Sequence, residues 1–190
     1  MVKTYVVDWT KIPVHNIDVS KLNHPADIVD IFKQSKIDKY LYQITYKGIV
    51  LKYGMSADNS GMWGERLYRQ IGHSSFWDKG TRFTGSSGSD YRIIEEDFKN
   101  KYGLEIQKDG LTIRVWNASN YPFDSLDPWM EVNRMERELI EGYVKVVGEK
   151  PIGNINDEPD YRKRARITKE IFDPLFEYSD SPVVKRIYKK

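Results

Sequence analysis

Two runs rich in Tyr, Ile, Leu and Val stand back to back near the middle of the chain, at residues 40–46 and 49–54, and meet at Lys47-Gly48. Their composition and the Gly-containing junction predict a β-hairpin. Residues 111–116 alternate apolar and polar positions and predict a third strand. Between them, residues 62–72 and 91–101 read as helices, separated by the Gly/Ser-rich stretch Gly85-Ser86-Ser87-Gly88-Ser89. Upstream, residues 5–9 read as a strand, and residues 25–36 as a short amphipathic helix with Ile28, Ile31 and Phe32 inward.

The clearest helix spans residues 128–147. Asp127 suits the N-cap, Pro128 the first helical position and Gly148 the C-terminal stop. At about 100° per residue, Trp129, Val132, Leu139, Ile140, Tyr143 and Val147 fall within about 60° of Glu136. Arg134, Arg137, Glu138, Glu141 and Lys145 fall on other faces. A carboxylate therefore sits at the centre of the inward stripe. A buried carboxylate needs a cation, whether an arginine or a metal, so a structural Glu–Arg pair and a metal ligand are the two readings of Glu136.

The hairpin holds a second polar pair, Tyr42 and Lys52. A three-residue loop of Tyr46, Lys47 and Gly48 places them directly opposite one another, whereas a two-residue loop puts them on opposite faces. A shared site for the pair predicts the longer loop.

Composition narrows the chemistry. The 190 residues suffice for one domain with appended elements. Zero cysteines exclude disulfides and thiolate-bound zinc, and His15, His24 and His73 are the only histidines. Any metal then sits on carboxylate oxygen and water, which points to Mg²⁺ or Mn²⁺. No apolar run approaches the roughly 20 residues of a membrane span, and the first residues lack a signal-peptide core, so the expectation is cytoplasmic. Net charge is +2, but Arg162, Lys163, Arg164, Arg166, Lys169, Lys185, Arg186, Lys189 and Lys190 cluster near the C-terminus. Such a cluster reads either as a solvated tail or as a phosphate-binding arm.

Several motifs in order carry a resemblance. Tyr40-Leu41-Tyr42-Gln43-Ile44 and Leu51-Lys52-Tyr53-Gly54-Met55-Ser56 resemble the GIY and YIG strands of the GIY-YIG nucleases. Gly64-Glu65-Arg66-Leu67-Tyr68-Arg69-Gln70 is similar to that family's arginine helix, and Glu136-Arg137-Glu138-Leu139-Ile140 to its Glu-x-x-Leu-Ile metal motif. Lys150-Pro151-Ile152-Gly153-Asn154 resembles its closing asparagine segment. Departures are Tyr40 and Leu41 for the Gly and Ile of GIY, Lys52 for the Tyr of YIG (as in restriction-enzyme members), and Gln70 where the family usually has His or Tyr.

The resemblance implies an α+β core at residues 39–157 with a small three-stranded antiparallel or mixed sheet flanked by helices. Residues 1–38 become an N-terminal accessory segment and residues 158–190 a basic C-terminal extension. It implies a divalent-metal-dependent endonuclease on double-stranded DNA, restriction-like and homodimeric if its target is palindromic. A phage or homing-type nuclease and a catalytically inactive DNA-binding protein on the same fold are the alternatives. Tyr42 would act as general base, Arg66 as phosphate clamp and Glu136 as metal ligand. Making phenolate at pH 7 costs on the order of 4 kcal/mol from an ordinary tyrosine, which gives Lys52 the role of lowering that cost. Gln70, His73 and Asn154 are supporting candidates, with Asn154 bonding backbone or a site residue rather than metal, and Asn156 a weaker candidate for the same duty. Arg69, Lys79, Arg82 and the cluster at Arg162, Lys163, Arg164 and Arg166 are candidate DNA contacts.

Overall fold

The computed structural model describes residues 7–57, 63–83, 89–123 and 127–154. The fold is α+β, a four-stranded antiparallel sheet carrying helices on both faces. Its strands are β1 (Val14–Asp18), β2 (Tyr40–Tyr46), β3 (Ile49–Ser56) and β4 (Leu111–Asn117), in spatial order β1-β4-β2-β3. The three expected strands are present, but the sheet has four. The additional strand comes from the N-terminal segment, at Val14–Asp18 rather than at residues 5–9. Residues 1–6 lie outside the described part, and Trp9–Lys11 forms a 3₁₀ turn capped by Asp8. β1 pairs with β4, whose outer edge would otherwise offer open hydrogen-bonding groups.

Alternation along the strands divides the interior into two cores. One contains Tyr40, Tyr42, Ile44 and Ile113 from the sheet, packed against α1 (Asp27–Gln34), α2 (Glu65–Gly72) and α3 (Ser89–Tyr102) through Phe32, Ile71 and Phe98. The other contains Leu41, Tyr53, Met55 and Trp116 under α4 (Pro128–Val147), which supplies Val132, Met135, Leu139 and Tyr143. Trp9 joins this second core edge-on against Trp116, with ring centroids 6.0 Å apart. The N-terminal segment is thus woven into both cores. Among the described residues no helix is long and apolar enough to cross a membrane.

α4 ends as its sequence directs. Asp127 accepts hydrogen bonds from the Trp129 and Met130 amides at 3.0 and 3.4 Å, and Gly148 closes the helix at φ 90°. Burial on α4 departs from the simple stripe. Trp129 is 45% exposed, while Glu138 and Glu141, expected on outward faces, are 6% and 4% exposed. The helix is covered on a second side in its C-terminal half, and Glu138 pairs one turn back with Arg134 at 3.4 Å. A single-face wheel cannot register such two-sided cover. Removing the cap with Asp127→Ala is expected to cost about 1 kcal/mol. A urea unfolding midpoint unchanged from wild type would show that the cap contributes nothing.

Candidate active site

The site begins with the hairpin register. The turn has two residues, Lys47 at φ 47° and Gly48 at φ 81°, so Tyr46 faces Ile49 and Thr45 faces Val50. This corrects the expected three-residue loop. Taken alone, such a turn would put Tyr42 and Lys52 on opposite faces. A β-bulge intervenes: between Thr45 and Ile44 the register shifts, so Ile44 faces Lys52 and Tyr42 faces Gly54. The extra residue is Leu51, and beyond it every side chain of β3 changes face. Lys52 therefore shares the Tyr42 face, one pair along rather than directly opposite. The Leu51 carbonyl is taken up by the Gly153 amide at 2.7 Å.

Gly54 is required by what faces it. A Cβ at that position would overlap Cζ and Oη of Tyr42. The Tyr42 ring thus lies across the edge strand, fully buried, with its hydroxyl above Gly54. That hydroxyl donates to Oε1 of Gln70 on α2 at 2.7 Å. One turn earlier on the same helix the exposed Arg66 donates from Nη1 to the Met55 carbonyl at 3.2 Å. Asn154 completes the edge. Its Oδ1 accepts from the Tyr53 amide at 2.9 Å and its Nδ2 donates to the Tyr53 carbonyl at 3.0 Å, as a neighbouring strand would.

Tyr42, Arg66 and Asn154 are in this way tied to the consecutive β3 residues Gly54, Met55 and Tyr53, beside half-buried Lys52, and Gln70 joins them through the Tyr42 hydroxyl. Glu136 is half-buried on α4, which packs along β3 from the opposite face, where Tyr143 meets Tyr53 edge-on at 6.1 Å. His73 does not join the group. It is buried at the end of α2, where Nδ1 bonds the Phe83 carbonyl at 3.0 Å. Arg69 is exposed and paired with Glu65, while Lys79 and Arg82 lie in the turn after α2. The Gly/Ser stretch at 85–88, Asn156 and the basic cluster at Arg162, Lys163, Arg164 and Arg166 lie outside the described residues.

A second phenol sits beside the first. Tyr40 lies 6.2 Å from Tyr42 between ring centroids, and burial pushes its pKa up to about 12, with Arg66 acting in the opposite direction. Tyr40 therefore stays neutral wherever a neighbouring phenol could be drawn on for proton transfer. Sequence reasoning did not mark it, since an apolar environment is read from packing rather than from a Tyr in a strand.

Among the described residues no three His, Cys, Asp or Glu side chains come together. No family model, curated protein or solved structure matches the chain.

Gly54→Ala is expected to force the Tyr42 ring off its position and to destabilise the fold by about 1–3 kcal/mol, read as a lowered urea midpoint together with a changed Tyr42 environment by NMR. An unchanged Tyr42 signal would contradict the close approach. The Tyr40 phenol, raised on folding, favours the folded state fully below pH 10 and loses that contribution as pH rises through about 12. The stability difference between wild type and Tyr40→Phe should therefore shift against wild type across that window, and a flat difference would remove the burial effect.

Proposed function

We propose that the chain is a divalent-metal-dependent endonuclease that hydrolyses phosphodiester bonds in double-stranded DNA, with Tyr42, Lys52, Arg66 and Glu136 as its working residues. The observation that carries this reading is the edge of β3, where the Tyr42 hydroxyl crosses Gly54 to Gln70 while Arg66 and Asn154 are tied to the adjacent residues of the same strand. Support also comes from the resemblance of these motifs, in order, to the GIY-YIG nucleases.

Phosphodiester hydrolysis requires a proton acceptor for the attacking water, neutralisation of charge on the phosphate and help for the leaving oxygen. Tyr42 is the proton-transfer group. Gln70 serves both its states, since the amide carbonyl accepts from the phenol and the amide nitrogen, after rotation, donates to the phenolate. Lys52, on the same face, favours the anion electrostatically. Arg66 presents its planar fork to a non-bridging phosphate oxygen. Asn154 holds β3 in place rather than touching substrate. Glu136 holds the divalent ion, which supplies charge neutralisation at the phosphate and lowers the pKa of bound water. The reading requires Glu136 to meet the other groups at the β3 edge. Lys52 in place of the second family tyrosine favours a restriction-like enzyme, with a homodimer suiting a palindromic target.

The test is cleavage of mixed-sequence plasmid and phage DNA with Mg²⁺ by wild type, EDTA-treated protein and Glu136→Gln. Discrete metal-dependent fragments lost in the variant are expected. A salt-sensitive mobility shift without cleavage would instead identify a DNA-binding protein that has lost catalysis. In single-turnover cleavage Lys52→Met should be slower by roughly 10²-fold, and a near-wild-type rate would remove Lys52 from the mechanism.

A further inference from the structure

The two edges of the sheet are finished differently. Alternate residues of an edge strand turn their amides and carbonyls away from the sheet. On β3 those residues are Leu51, Tyr53 and Met55, and each is covered from this chain: the Leu51 carbonyl by Gly153, Tyr53 by Asn154 and the Met55 carbonyl by Arg66. At the other edge the Asn117 amide donates to the Pro13 carbonyl. Pro13, His15 and Ile17 therefore point their backbone groups at β4, and Val14, Asn16 and Asp18 point theirs outward. Among the described residues, no backbone group bonds Val14, Asn16 or the Asp18 amide from that outer side.

An open edge offers pairing to another strand, and natural edges are ordinarily blunted by lysine, proline, a bulge or a covering segment. β1 carries none of these. Val14–Asp18 contains no lysine, its register with β4 is unbroken, and Pro13 lacks an amide only on the side that faces β4. Val14 is 45% exposed and Asn16 is exposed. The Asp18 carboxylate turns back along its own chain, accepting from the Ser20 amide and hydroxyl at 3.0 and 2.6 Å. The strand also complements itself. Antiparallel pairing about Asn16 matches all three outward residues and sets Val14 against Asp18 of the other copy, so the carboxylate never opposes its own like.

We infer that β1 binds β1 of a second copy of this chain, joining two four-stranded sheets into one of eight strands about a two-fold axis at Asn16. The two Asn16 residues exchange amide-to-carbonyl bonds, and each Asp18 amide donates to the Val14 carbonyl of the other copy. His15 of one copy lies beside Ile17 of the other on the opposite face. The two β3 edges stand at the far ends of the joined sheet, away from the contact. The inference gives a surface to the homodimer that suits a palindromic target, but it does not rest on the nuclease reading, because it follows from backbone groups and is tested without DNA.

The experiment is sedimentation equilibrium of the full chain, without DNA, on wild type and Asn16→Pro. A concentration-dependent dimer is expected over about 1–500 µM, since one strand pair is a small interface. Proline at position 16 removes only an outward amide, which an edge strand tolerates. It should weaken the dimer at least about tenfold, through the bonds lost at the axis, and leave the fold intact by circular dichroism. Cysteine, of which the chain has none, supplies the second measurement. Asn16→Cys sets two thiols face to face in a hydrogen-bonded pair, at a Cα separation of about 5.5 Å that suits a disulfide, and should cross-link on mild oxidation. Val14→Cys leaves them four residues out of register and should not. These two variants decide the case if Asn16→Pro misfolds. A wild type that stays monomeric throughout, a dimer undiminished by Asn16→Pro, or equal cross-linking of both cysteine variants would overturn the inference. So would an Asn16 amide protected from hydrogen exchange in the dilute monomer, which would assign the edge to another part of the same chain.

Discussion

The approach of the Tyr42 ring to Gly54 holds together everything on the outer edge of the sheet. It needs a residue without a Cβ directly across from the tyrosine, and it needs the two strands in a register that makes those residues partners. The tight Lys47-Gly48 turn does not supply that register, because it aligns Tyr42 with the wrong face of β3. The single extra residue at Leu51 does, by reversing the parity of the strand beyond it. The bulge also exposes a carbonyl, and the Gly153 amide takes it, so the segment after α4 is drawn to the place where the register changes.

From that register the remaining contacts follow. With the phenol carried over to the edge strand, α2 can meet it with Gln70 and anchor Arg66 one strand residue further along. Asn154 then imitates a fifth strand over Tyr53, occupying backbone groups that would otherwise invite pairing with another chain. β1 protects β4 at the opposite side of the sheet. The β3 edge thus combines backbone support with an exposed Arg66.

The two phenols beside one another illustrate how placement decides chemistry. Tyr40 is held in a setting whose low polarity raises its pKa to about 12 and keeps it protonated. Tyr42 is equally buried, but its hydroxyl meets an amide that can serve as acceptor or donor. The same residue type, two positions apart on one strand, is packing in one case and a candidate for proton transfer in the other. A comparable division separates the two sheet faces, where the rows around Leu41 and Trp116 are core while those around Gln43 and Arg114 enclose a polar recess.

The sequence by itself determined the elements whose signals are local. The periodicity and caps of α4, the apolar face of α1, the hairpin strands and β4 all come from propensity, alternation and turn chemistry acting within a few residues. The pairing of Tyr42 with Lys52 came from the hairpin pattern, whereas Arg66 and Asn154 were marked only by the resemblance of their motifs to the GIY-YIG nucleases. Tertiary structure decided what depends on partners distant in the chain. Val14–Asp18 is a strand because β4 offers it an edge, and its own sequence does not distinguish it from the preceding segment. Glu138 and Glu141 are buried because α4 is covered on a second side. The bulge at Leu51 is settled by both cores at once, since Tyr42 and Ile44 must face one layer while Tyr53 and Met55 face the other. A strand has a period of two, so one inserted residue reverses every later assignment, and only packing on both faces selects where that residue goes.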